Sequence, residues 1–289
     1  MTLSTAEARV AGRDAGLDTA AAPIPADRSR SLRRWNRFLT VAHGAQFVAM
    51  LAISSTTAVF APVVPTIRPI FENGQFTGVE PSSVTLLSIP LAWLIATFFL
   101  MSAIAHAAAG WFLRERYQAW LARGMNPLRW IEYAFSSTVM IVAIAYISYI
   151  TEFPALIAIA AANVSMNLFG WVMETQNEGR LAAGRPIDWK PFIFGCIAGI
   201  APWLGIFSIL GAYSFQEGLP ADANIPAFVY LIIGSLFVAF NIFAITMVLQ
   251  YRKVGRWSDY LYGEKTYMVL SLVAKTLLAW QVWSGTLRP

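Results

Sequence analysis

The sequence predicts an all-α membrane protein, a seven-transmembrane-helix bundle with a cytoplasmic N-terminus and an extracellular C-terminus. Three observations carry that prediction. Hydrophobic residues fill 57% of the 289 positions and charged residues only 13%, with a mean hydropathy of +0.55. A soluble domain carries roughly 25% charged residues, so this chain has too few to cover a water-facing surface. The apolar residues gather in seven blocks, each near the roughly 20 residues that a helix needs to cross a bilayer. Lys and Arg gather in alternate connections, as cytoplasmic loops require.

The elements follow in order. Residues 1–34 are rich in Ala, Arg, Asp and Pro, with no long apolar block and no signal-peptide core. They read as a flexible, uncleaved cytoplasmic tail, leaving 35–289 as the bundle. The apolar blocks lie at about 35–60, 85–112, 128–151, 154–176, 191–213, 224–251 and 264–287. Glu152 and Pro154 part the third block from the fourth, because proline ends a helix. The first connection, 61–84, is the longest and contains PIFENGQFTG. Its Asn73-Gly74 pair between apolar residues is a hairpin signal, which predicts a small β-hairpin outside the membrane. The other connections are short, as between antiparallel neighbours.

Charge fixes the orientation. Eighteen of the 21 Lys and Arg residues fall on one side: seven in the tail up to Arg37, then Arg114, Arg116, Arg123 and Arg129, then Arg180, Arg185 and Lys190, then Arg252, Lys253, Arg256 and Lys265. Only Arg68 and Arg288 fall on the other. The crowded side is the inside. The net charge of +5 reflects those inner loops and calls for no nucleic-acid partner. The one cysteine, Cys196, excludes an intramolecular disulfide and reads as buried and unreactive in its apolar run. No GxxxxGK[ST], HExxH, CxxC or GxSxG motif is present, so the sequence gives no support to phosphate, metal or hydrolase chemistry, and the chain reads as a non-enzyme.

Four ionisable groups stand at membrane depth: Lys275, Glu132, His43 and His106. Glu174, near an inner helix end, reads as interfacial. Ionisable groups at such depth are functional candidates. Lys275 lies 11 residues past Glu264 and 14 before Pro289. At about 1.5 Å per residue it is roughly 16 Å from either end. Its stem of about 6 Å cannot carry the amine out to water. The lysine is either half of a structural ion pair or an amine kept for condensation with a carbonyl. Glu132 is its natural partner. Helical side chains lean toward the helix N-terminus, which aims Lys275 at the inner half where Glu132 sits. Ser271, one turn earlier, faces the same way. His43 and His106 fall at the depth of Glu132, with Gln46 and Ser102 one turn away as hydrogen-bond partners, which predicts a polar pocket on the cytoplasmic side of Lys275. Trp203, Phe240, Met140 and Trp280 could line an apolar cavity. Asn163, Asn167 and Asn241 are candidate interhelical hydrogen-bond partners.

A lysine in the last of seven helices and a carboxylate in the third resemble the microbial rhodopsins. The segments SLVAKTLLAWQVWSGTLRP, RWIEYAFSSTVMIV, FGCIAGIAPWLG and VLQYRKVGRWSDYLYGE are very similar to those of heliorhodopsins, from about Arg33 to Pro289. An inverted, N-inside orientation is that group's hallmark, and the charge distribution gives it independently. The resemblance implies that Lys275 binds all-trans retinal covalently as a Schiff base, with Glu132 as counterion and Ser271 as hydrogen-bond partner. It places His43, His106 and Arg129 at the cytoplasmic-side cavity. Trp203, Phe240, Asn163, Met140 and Gly170 match retinal-lining positions, and Ser136, on the face of Glu132, joins them. Ser271 stands where a pump carries its second carboxylate, and Ala143 where a pump carries its proton donor. The expectation is therefore a light sensor in the plasma membrane, a homodimer with a cytoplasmic signalling partner, rather than a pump. The alternatives are a light-driven transporter or channel, and a seven-helix carrier or receptor without chromophore.

Overall fold

The computed structural model describes residues 23–180, 183–216 and 225–289. Helix α1, Ala26–Ile53, begins after Pro25, nine residues before the sequence-derived limit. Residues 26–34 are thus not tail. Leu32 packs with Tyr117, Leu121, Leu261 and Met268, Arg28 pairs with Asp259, and Lys265 donates to the Ser31 hydroxyl at 3.0 Å. Those long-range contacts outweigh a composition that looks unstructured. Most of the predicted tail, residues 1–22, lies outside the described residues.

The chain then crosses into the outer connection. Strands β2, Val63–Glu72, and β3, Gln75–Thr85, form the predicted antiparallel hairpin. Its turn is Asn73-Gly74, with φ of 49° and 80°, the left-handed pair that a two-residue turn demands. Two short strands, β1 (Val59–Phe60) and β4 (Ile89–Pro90), pair at its base. The Tyr146 hydroxyl donates to the Val59 carbonyl at 3.2 Å and accepts from the Ala61 amide at 2.9 Å, tying the flap to the bundle.

Helix α2, Leu91–Ala107, ends in a π-helical turn at Ala108–Phe112. The short α3, Arg114–Ala122, caps the inner side and buries Tyr117 and Leu121. The remaining spans are α4 (Pro127–Ile147), α5 (Phe153–Asn177), α6 (Lys190–Phe215), α7 (Ala227–Tyr251) and α8 (Tyr260–Val282). Asn126 caps α4, its side chain accepting from the Arg129 amide, and Asp259 caps α8 through the Leu261 amide. By length and composition alone, α2 and α4–α7 are apolar enough to cross a membrane. The two outer members of the seven, α1 and α8, carry the charges of the inner side.

The helices pack in sequence: α1 on α2, α2 on α4, α4 on α5, α5 on α6, α7 on α8, with α8 closing on α1 and α2. Helices α6 and α7 meet through rings: Trp203 lies 5.2 Å from Phe237 and 5.6 Å from Phe240. The outer half of the bundle is an apolar core that includes Met50, Ile95, Phe99, Ile141, Ile144 and Leu278. Buried charge collects in the inner half, at Arg129, Glu174, Glu264 and Lys275. That division of polarity positions the site.

Candidate functional site

Ser271, Lys275, Leu278, Ala279 and Val282 form the inward stripe of α8. Lys275 sits where that stripe meets α4. Its Nζ lies 3.2 Å from Glu132 Oε1 and donates to Ser271 Oγ at 2.6 Å, with side-chain exposures of 3% for the lysine and 7% for the glutamate. Glu132 also accepts from Ser102 Oγ at 2.6 Å. The Tyr133 ring faces the amine at 5.4 Å, and its hydroxyl donates to the Tyr267 carbonyl at 3.1 Å. Breaking a buried ion pair by removing one partner costs about 3–5 kcal/mol. Four groups meet here from α2, α4 and α8: Lys275, Glu132 and Ser271 were expected together, Ser102 was expected beside His106 and instead serves Glu132, and Tyr133, next to Glu132, was not singled out.

A cavity of about 400 Å³ runs from Lys275 between α4, α5, α6, α7 and α8. Of the pocket predicted from sequence, Met140, Gly170, Trp203 and Phe240 line it. Phe237, Phe243, Tyr267 and Trp130 also line it, which the sequence pattern did not single out. Gly170 has a definite role: a Cβ there would overlap the Trp130 ring, so glycine lets that indole lie in the cavity wall. Two predictions for the pocket are corrected. Ser136 is buried but faces the Glu132 side, and Asn163 turns to α4, donating to Ser137 and Thr138 at 2.8 and 2.9 Å. Ser137 and Asn167 line the cavity in their place, Asn167 donating to Ser137 at 3.1 Å. Asn241 bonds within its own helix, to the Phe237 carbonyl, so it is not interhelical. Trp280 is also outside the cavity. Its indole donates to Gln46 at 3.3 Å, which accounts for Gln46 as well.

The polar pocket on the inner side is a separate cavity of about 30 Å³, lined by His106, Arg129, Glu132, Glu264 and Ser271 among others. Gln46 does not reach it. Ser102 borders it through Glu132. His106 Nδ1 lies 2.9 Å from Asn36 Oδ1, and the His43 ring stacks on His106 at 5.6 Å with planes 3° apart. His43 is fully buried and neither of its ring nitrogens has a hydrogen-bond partner.

Below this pocket stands a cluster that sequence spacing could not reveal, because its members lie on different helices. Arg129 bridges Glu174 and Glu264. Glu174 is buried rather than interfacial, and Arg129 spans two carboxylates rather than serving the pocket alone. Cys196, read as buried, is exposed on α6 at the cavity rim. Its helix face looks outward, where an apolar residue meets lipid as readily as core.

Comparisons with known proteins bear on the whole arrangement. The family model described as Heliorhodopsin matches residues 32–287. No curated protein matches the chain. Among solved structures, a light-driven proton pump from Leptosphaeria maculans superposes with a TM-score of 0.55 at 14% identity, over 91% of this chain and 97% of that one. The transmembrane domain of a rhodopsin phosphodiesterase from Salpingoeca rosetta superposes with a TM-score of 0.53 at 14% identity, over 98% and 89%. At that identity the two structures establish the fold, the seven-helix architecture of microbial rhodopsins. The family match spans nearly all of the bundle, including Lys275 and Glu132: the chain belongs to the heliorhodopsin family.

Proposed function

We propose that this chain is a retinal-binding photoreceptor that senses light without net ion pumping. The observation that carries the reading is the Lys275 amine, held 3.2 Å from Glu132 at the wall of an apolar cavity of about 400 Å³. That size lies in the roughly 300–1,000 Å³ range of small-molecule pockets. The lining suits a long apolar polyene aldehyde: Met140, Trp203, Phe237 and Phe240 offer apolar walls, and a lysine amine is the group that condenses with an aldehyde. All-trans retinal, bound covalently through Lys275, would supply visible absorption and photoisomerisation.

The chain's own residues do the rest. Ionised Glu132 and the Ser271 hydroxyl hold the protonated Lys275 nitrogen, and the Tyr133 face adds to that stabilisation. The aromatic wall of α6 and α7 confines the chromophore. Outward of Lys275 the bundle packs a mainly apolar core that includes Ile144, Leu278, Ala279 and Val282. Inward lies the pocket with His106, backed by His43. A proton that leaves the Lys275 nitrogen is therefore directed inward, and its return without net transfer gives a cycle suited to sensing. Ser271 in place of a second carboxylate supports this reading. A homodimer in the plasma membrane and a soluble partner at the basic inner loops complete it.

Illuminated cells expressing the protein, with external pH and membrane current recorded, test sensing against transport. No sustained signal sensitive to a protonophore is expected. A sustained one would overturn the sensing reading in favour of a pump or channel.

A further inference from the structure

We propose that Glu264 is the group that takes up the proton leaving the Lys275 nitrogen. The inference rests on the photoreceptor reading and names the destination that reading leaves open.

The cluster around Arg129 holds two carboxylates and one guanidinium, all buried. The carboxylates are not equivalent. Glu174 is saturated with donors: the Asn126 amide at 2.8 Å, the Trp130 indole at 2.6 Å, the Tyr260 hydroxyl at 3.1 Å, and Arg129. An ionised carboxylate offers about four lone-pair sites, so Glu174 is complete as an anion. Glu264 accepts from the Asn126 side-chain amide at 2.6 Å and from Arg129, with the Tyr117 hydroxyl beside it as a looser third donor. It keeps free lone pairs. With Glu174 ionised and matched to Arg129, Glu264 carries the surplus negative charge of the cluster. A buried net charge is unfavourable, and a proton on Glu264 removes it.

Access is built in. Glu132, Ser271 and His106 line the same small cavity as Glu264. Glu264 and Ser271 are seven residues apart on α8, which is roughly 10 Å. The Tyr117 hydroxyl and Arg129 Nε border this cavity with no close hydrogen-bond partner, and its volume of about 30 Å³ has room for a water. The other titratable groups facing the cluster are Tyr133 on α4, Tyr251 on α7, and Tyr260 and Tyr267 on α8, all neutral donors or ring faces. His43 is poorly placed by comparison, since it lies behind His106 with no partner to pass a proton on.

In the step itself, the N–H bond at Lys275 breaks and its electron pair stays on nitrogen. The proton forms an O–H bond on the Glu264 carboxylate. It returns by the same route, so nothing is exported.

The test is light-minus-dark infrared spectroscopy of the full chain with all-trans retinal. The visible band is recorded first; a colourless protein refutes the photoreceptor reading itself. In coloured wild-type protein, light should raise a carboxylic-acid C=O band. That band should be absent in Glu264→Gln and shifted in Glu264→Asp. A coloured Glu264→Gln protein that keeps the band at full amplitude overturns the inference and assigns the proton to another carboxyl. Glu264→Gln leaves Arg129 and Glu174 as a balanced pair, so the fold should survive; if it does not, Glu264→Asp alone decides by the shift or its absence. Retinal-free protein in the dark gives an independent reading. Glu264 should contribute a carboxylate stretch there, lost in Glu264→Gln. A dark C=O band lost in that variant would show Glu264 already protonated and would also overturn the inference.

Discussion

Lys275 carries its amine where the bilayer offers no water, and Glu132, Ser271 and Ser102 make that position tolerable. An ion pair this deep is worth keeping only with good geometry and further hydrogen bonds, which the two serines supply. In the proposed function, replacing Glu132 by Gln removes the negative charge that stabilises the protonated Lys275 nitrogen. The visible band of the retinal-bound variant should move to longer wavelength, as absorption spectra of both proteins would show; an unchanged spectrum contradicts the counterion role. Much of this was legible in the sequence, because an isolated charge in an apolar run stands out at once. The Arg129 cluster was not. Glu174 and Glu264 sit near helix ends, where a carboxylate is ordinarily solvated, and only the fold reveals that α4, α5 and α8 converge there.

At the scale of an element, the close fit of α4 against α5 rests on a missing side chain. Gly170 faces the Trp130 ring with no room for a Cβ. In a helix, Gly→Ala ordinarily stabilises by up to about 1 kcal/mol, and Gly44, with open space around it, should behave that way. Gly170→Ala should instead destabilise by about 1–3 kcal/mol through overpacking. It should also displace Trp130 from the cavity wall and from Glu174. Thermal denaturation of the two variants side by side checks the contrast; equal midpoints would mean that Trp130 moves aside freely. The hairpin was legible because Asn73-Gly74 dictates a backbone that few residues adopt. The start of α1 was not, because its first turns are held by α3, α8 and the loop before it rather than by their own composition.

Across the whole molecule, polarity divides the bundle at the level of Lys275. The outer half is apolar core; the inner half holds the histidines, the ion pair and the Arg129 cluster. Eighteen basic residues set that inner half at the cytoplasm, so in the proposed function a proton leaving Lys275 moves toward the cell interior. The seven spans and their orientation follow from hydropathy and charge, which act on each helix alone. The cavity does not, because its walls come from five helices, and Ser136 and Asn163 fall on faces that periodicity cannot tell from the lining ones. The proposed function depends on one covalent attachment, that of retinal to Lys275. The most direct measurement is the visible spectrum of purified wild-type and Lys275→Arg protein mixed with all-trans retinal, before and after hydroxylamine under illumination. Wild-type protein should develop a visible band that hydroxylamine bleaches, and the Lys275→Arg protein should remain colourless. A wild-type protein that stays colourless, or a Lys275→Arg protein that takes up the same colour, would contradict the assignment of Lys275 as the retinal-binding residue.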